Sequence, residues 1–149
     1  MGSIGLPSDG AVYLDSSALI YSVERHDPYF GLLAPMWQQA GRGQLLLVSS
    51  ELALAEVLVP PIREGNEVLI SRYREVFASA DVRLVPASRR SWQDAARLRA
   101  DHGLGTPDAL HAATALQEHC DLFITNDTDF RRMAELPVVV LRDVLAAPG

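Results

Sequence analysis

The chain contains no lysine; all 13 of its Lys/Arg positions are arginine. Schiff-base chemistry on a lysine amine is therefore excluded, and so is a phosphate-binding loop that ends in Gly-Lys-Ser/Thr. Cysteine is almost missing as well. Cys120 stands alone, so the sequence holds no intramolecular disulfide framework and no cysteine-based zinc site. Its expected role is that of a small buried residue near a helix end. Long hydrophobic runs are absent too. No apolar stretch approaches the ~20 residues of a membrane span, and Met1-Gly2-Ser3-Ile4-Gly5 lacks the basic start and apolar core of a signal peptide. No membrane association is expected, and a cytoplasmic location fits the single cysteine.

What remains suits one domain. A chain of 149 residues, 48% hydrophobic and 21% charged, can bury a core of its own. Residues 1–149 are read as a single unit, with residues 1–10 expected as a flexible lead-in, partly of cloning origin.

The most informative residues are carboxylates in apolar surroundings. Asp15 ends the run Ala11-Val12-Tyr13-Leu14. Glu56 interrupts Leu52-Ala53-Leu54-Ala55 and Val57-Leu58-Val59. Asp108 opens an Ala-rich segment after Thr106-Pro107, and Asp127 and Asp129 follow Leu122-Phe123-Ile124. Burying an unpaired ionised carboxylate costs several kcal/mol or more. With no lysine to meet them, divalent metal ions are the expected neutralisers. The formal charge is −6, and setting these five groups aside brings it to −1. The acidity therefore belongs to the candidate site rather than to the surface at large. Such a balance argues against non-specific coating of nucleic acid. It leaves room for an enzyme that grips nucleic acid through metals and a few arginines.

Short apolar strands alternate with helices along the chain. Strands are expected at residues 11–15, 44–48, 82–85, 121–125 and 138–141. Helices are expected from Ser16 or Ser17 to about Val23, over 29–41, over about 51–59 with Pro60-Pro61 as its stop, over 65–80, from a Ser88 cap to about Asp101, from Thr106-Pro107 to about His119, and briefly over 128–136. Strands apolar on both faces, alternating with helices, imply a parallel sheet covered on both sides. Sites in such sheets form beyond the carboxyl ends of the strands, where strand order reverses. Asp15 and Asp127 lie just past the first and fourth strands, so they converge if those strands are neighbours.

Each carboxylate also has an ordinary reading. Leu52, Glu56 and Val59 share one helical stripe. If Leu52 and Val59 face the core, Glu56 is carried inward with them; a rotated helix would leave it at the rim beside an arginine. Asp108 occupies a first helical turn, which the helix dipole favours on its own account. Asp15, Asp127 and Asp129 could simply cap the helices they precede. It is the recurrence of one coincidence at several strand and helix boundaries that points to a site. His111 shares a face with Asp108, and the expected reading is a partly buried packing histidine, with a second-sphere or RNA-contacting role open. Glu24, His26 and Asp27 read as a solvated turn. Thr125 and Asn126 could orient a carboxylate or close the strand-to-helix turn.

Taken in order, Leu14-Asp15-Ser16-Ser17, Ser50-Glu51-Leu52-Ala53-Leu54-Ala55-Glu56-Val57-Leu58, Pro107-Asp108-Ala109-Leu110-His111-Ala112-Ala113-Thr114-Ala115 and Thr125-Asn126-Asp127-Thr128-Asp129-Phe130 resemble a PIN-domain nuclease. In size and spacing they are similar to the VapC toxins of bacterial toxin–antitoxin pairs. The resemblance spans residues 11–145. It implies an α/β fold with a five-stranded parallel sheet in the order 3-2-1-4-5, flanked by helices on both faces. It implies a metal-dependent endoribonuclease with Asp15, Glu56, Asp108 and Asp127 as the catalytic acidic quartet. Those four and Asp129 would hold one or two Mg²⁺ or Mn²⁺ ions. RNA substrate, a VapB-like antitoxin and a second copy of the chain are the implied partners.

Arg131 and Arg132 are the first candidates for RNA contacts, against an ordinary reading as solvated surface. The stripe Tyr29, Phe30, Leu33, Met36 and Trp37, with the helix around Val68, Tyr73 and Phe77, is a candidate antitoxin groove or homodimer face. Two rivals stand beside this reading. One is a non-catalytic PIN-type module that binds RNA or protein. The other is a haloacid-dehalogenase-like phosphatase, which expects an Asp where Ser17 stands and usually a lysine. A DNA-directed nuclease is compatible with the same carboxylates.

Overall fold

The computed structural model describes residues 2–148. Its centre is a five-stranded parallel sheet in the order β3-β2-β1-β4-β5. The strands are β1 (Ala11–Leu14), β2 (Leu46–Ser50), β3 (Val82–Val85), β4 (Leu122–Thr125) and β5 (Val138–Val140). The helices are α1 (Ser16–Val23), α2 (Tyr29–Gly41), α3 (Leu52–Glu64), α4 (Glu67–Ala78), α5 (Arg89–His102), α6 (Thr106–Gln117) and α7 (Leu141–Ala146). A 3₁₀ turn covers Thr128–Arg132.

Alternation along each strand splits the core into two layers. Val12 and Leu14 of β1, Leu47 of β2 and Ile124 of β4 pack with Leu19, Leu33, Met36, Val57 and Tyr73 from α1 to α4. Tyr13, Val48 and Phe123 turn the other way, onto Ala95, Leu98, Ala109, Ala112 and Ala113 of α5 and α6. Small alanines on α6 let that helix lie close to the sheet, and Tyr13 stacks on Phe123 at 5.0 Å. At the amino end, Gly2 N–H donates to the Val144 carbonyl, while Ile4 and Leu6 pack against the first layer.

Several local expectations change. Pro60-Pro61 does not stop α3, which runs on to Glu64 and ends at Gly65 with φ 65°. Each proline removes a backbone N–H, but Pro61 completes a buried stripe with Ala53 and Val57, and packing outweighs the lost bonds. That stripe sets the helix rotation. Val59 is 43% exposed, so Leu52, Glu56 and Val59 are not the core face and Glu56 stands at the rim. Of the two caps open to α1, the structure uses Asp15, whose side chain accepts from Ala18 N–H, and Ser16 and Ser17 are already helical. Gly105 precedes α6 without a side-chain cap, and Thr106 is already helical. Ser88 caps α5 through a reciprocal box with Ser91. The fifth strand ends at Val140, and Leu141 begins α7, which sequence reading did not anticipate.

Candidate metal and active site

β1 lies between β2 and β4, so the strand order reverses there and a crevice opens beyond the carboxyl ends of the strands. Leu14 is in register with Ile124, and Asp15 N–H donates to the Ile124 carbonyl at 3.2 Å. Asp15 therefore sits directly beside Thr125, the last residue of β4.

Asp15 is 6% exposed and fully engaged. Oδ1 accepts from Ser17 Oγ at 2.7 Å and Ala18 N–H at 3.1 Å, and Oδ2 accepts from Thr125 Oγ1. Burial raises its pKa, partly offset by the bonds from Thr125, Ser17 and Ala18 and by His111 nearby. Thr125 Oγ1 also accepts from Asp127 N–H at 2.9 Å, so one hydroxyl ties the first acidic residue to the turn that carries the next two. Asp127 accepts from Asp129 N–H at 2.8 Å, which shapes the 3₁₀ turn. Asn126 is pinned between Ser17, Tyr21 and Arg142. Both polar residues before Asp127 thus hold the site in shape.

Asp108, in the first turn of α6, reaches the same place. Ligand oxygens of Asp108, Asp127 and Asp129 lie within 4.8 Å of one another. Burial first, then the charge of Asp127 and a hydrogen bond shared with it, push the Asp108 carboxyl up to about 6. Asp15 stands close enough to add to that repulsion but is not one of the converging three. Arg132 Nη2 meets Asp129 Oδ1 at 3.3 Å, and Nη1 donates to the Gly103 carbonyl at 3.2 Å. Arg131 pairs with Asp143 instead.

Glu56 enters from α3 at the crevice edge. The expected partner at the rim was an arginine; the actual ones are Ser16 Oγ at 2.6 Å and His111 Nε2 at 2.7 Å, both on Oε1. Burial alone would raise the Glu56 pKa, but the bonds from His111 and Ser16 and the charge interaction with His111 hold it below the ordinary value. His111 is 2% exposed, and its Nδ1 lies 2.6 Å from Tyr13 Oη. An ionised carboxylate only accepts, so Nε2 must carry the proton. Burial holds the Tyr13 phenol well above its usual pKa, so its oxygen stays protonated and shares the hydrogen bond with Nδ1. The packing histidine foreseen from sequence is thus buried as expected but bonded at both nitrogens. Its signal was the i, i+3 spacing from Asp108, which says nothing of Tyr13 or Glu56.

Glu24, His26 and Asp27 do not join any carboxylate group of this kind among the described residues; Glu24 accepts from Tyr73 Oη and lies 3.6 Å from His26. Elsewhere on the surface, Val23, Phe30, Trp37 and Val76 line a cleft of ≈ 190 Å³ whose rim carries Arg25 and Arg72.

Converging carboxylates at the switch point of a parallel α/β sheet form an all-oxygen donor set that suits a hard divalent cation. Residues 12–136 match the PIN domain family. The chain belongs to that family, whose members are generally metal-dependent nucleases. No curated protein sequence matches it. Among solved structures, it is similar to VapBC2 from Rickettsia felis bound to a DNA fragment from their promoter, with a TM-score of 0.69 and 19% identity over 87% of this chain and 97% of that one. A toxin–antitoxin complex from Klebsiella pneumoniae matches with a TM-score of 0.63 and 22% identity, over 87% and 97% of the two chains. FitAcB from Neisseria gonorrhoeae matches with a TM-score of 0.65 and 21% identity, over 88% and 98%. At these identities the likeness is one of fold.

Proposed function

We propose that the chain is a metal-dependent endoribonuclease and the toxin of a toxin–antitoxin pair. The observation that carries this reading is the convergence of Asp108, Asp127 and Asp129 within 4.8 Å, beside a buried Asp15 whose pKa is raised. Like charges so placed repel, and a bound cation relieves the repulsion. Oxygen donors alone suit a hard ion, Mg²⁺ or Mn²⁺, rather than a thiophilic one. Asp108, Asp127 and Asp129 would form the nearest ligand set, with Asp15 and Glu56 flanking it for one ion or a second.

Held by these residues, such an ion would supply Lewis-acid polarisation of a phosphodiester oxygen and a water nucleophile near neutral pH. The protein's own contribution is placement. Thr125 and Ser17 hold Asp15 in one orientation, Ser16 and His111 hold Glu56, and Thr125 fixes the turn that presents Asp127. Arg132, half exposed at the edge of the cluster, can exchange its contact with Asp129 for an RNA phosphate.

The structural relatives named as toxin–antitoxin complexes support an antitoxin partner. The cleft around Trp37 and Phe30, rimmed by Arg25 and Arg72, suits an apolar segment with acidic flanks. Val59, Ile62 and Val68, exposed at the α3–α4 end, are the surface we assign to a second copy of the chain.

The test is cleavage of total bacterial RNA by the purified chain, with Mn²⁺ or Mg²⁺, with chelator, and with the Asp15→Asn variant, while mapping new 5′ ends. Discrete cuts that require both metal and Asp15 are expected. Metal binding without cuts of RNA or DNA would replace this reading with a binding module.

A further inference from the structure

One buried group has hydrogen bonds that neither packing nor helix capping requires. His111 lies on the inner face of α6, among alanines, where an apolar side chain would fill the space at no cost in desolvation.

It spans two layers of the fold. Nδ1 is held at 2.6 Å by Tyr13 Oη, which is fully buried on the central strand, and the Tyr13 ring is locked by its stack on Phe123 and its edge contact with the imidazole at 5.7 Å. Nε2 then emerges at the crevice, 2.7 Å from Glu56 Oε1 and 3.4 Å from Ser16 Oγ. Both donors to Glu56 meet on the same oxygen. Among the described residues no protein donor reaches Oε2. A long, flexible side chain at a helix rim is thereby fixed by a rigid chain that starts in the core.

We propose that His111 is a positioning residue that, anchored by Tyr13, holds Glu56 by Oε1 and so presents Oε2 to a divalent cation in the crevice. The proposal rests on the nuclease reading above. Three neighbours from three elements, Tyr13 of β1, Ser16 of α1 and His111 of α6, act through Glu56 of α3 and need touch neither metal nor RNA. Partners of this kind, one shell out from a metal, usually change affinity or activity by about 10–100-fold when removed. Ser16 alone would leave Glu56 with one bond and more rotamers.

The experiment is Mn²⁺ titration calorimetry on the intact chain, the Glu56→Gln variant, His111→Leu, His111→Gln and Tyr13→Phe, each checked for folding by thermal melting. The parent is expected to bind Mn²⁺, with affinity reduced in Glu56→Gln. His111→Leu should lose about tenfold or more in affinity. His111→Gln, which can keep an N–H near the Nε2 position, should recover most of it. Tyr13→Phe keeps the ring and loses only the anchor, so a smaller loss in the same direction is expected. A folded His111→Leu that binds Mn²⁺ as the parent does would overturn the proposal and leave the nuclease reading standing. If that variant does not fold, unchanged affinity in Tyr13→Phe overturns it equally. A parent that binds no Mn²⁺ at all removes the nuclease reading, and this proposal with it.

Discussion

Thr125 Oγ1 donates to Asp15 Oδ2 across the β1–β4 pair and accepts from Asp127 N–H at 2.9 Å. One hydroxyl at the carboxyl end of β4 thus sets two acidic residues 112 positions apart in sequence into one geometry. Thr125→Val keeps the shape and removes both bonds. It leaves a buried carboxylate oxygen and a part-buried N–H without partners, at a cost of about 1–3 kcal/mol. Urea unfolding of the variant should report that loss with an unchanged m-value.

Asp15→Asn should separate stability from activity. Burial already disfavours the charge on Asp15, so neutralising it should leave the melting temperature unchanged or raise it. Nuclease activity should disappear. A variant that melts normally and cuts as well as the parent would remove Asp15 from the site.

Stability of the metal-free chain should depend on pH in a direction the acidic cluster dictates. Asp108 is raised from 3.8 to about 6 and Asp15 is raised as well. Both bind protons more readily in the folded state, so their contribution is full below the unfolded pKa and is lost as pH rises through the folded value. Glu56 is lowered and acts oppositely, its contribution lost as pH falls through its folded value. Two groups against one predict a melting temperature in chelator that falls by a few degrees from about pH 4 to about pH 7. Asp108→Asn should flatten that slope. Mn²⁺ should remove most of it, and its affinity should weaken below pH 6 as Asp108 takes up a proton.

Trp37 lines the cleft with Phe30 and Val76, and its indole N–H is buried without a partner. If that cleft receives the antitoxin, Trp37→Ala should cost binding about 2 kcal/mol or more, as buried aromatic anchors do. RNA cleavage by the chain on its own should stay near parental. Calorimetric titration with the cognate antitoxin reads the first effect, and unchanged affinity would place the partner elsewhere.

Much of this protein was written locally. Apolar strands alternating with amphipathic helices determined a parallel sheet, and helix boundaries are marked by the side-chain caps of Ser88 and Asp127 and by the left-handed backbone of Gly103. The acidic residues were legible because charge in an apolar run is costly wherever the run folds. What sequence could not decide was rotation and partnership. Whether Pro60-Pro61 ends α3 depends on what Pro61 packs against, and that packing also moves Glu56 from core to rim. The grouping of Asp108 with Asp127 and Asp129, apart from Asp15 and Glu56, follows from strand register and helix placement. The bond from Tyr13 through His111 to Glu56 joins residues of β1, α6 and α3. Local propensity acts over a few residues, whereas hydrogen bonds and packing between layers act only once the chain has brought those layers together.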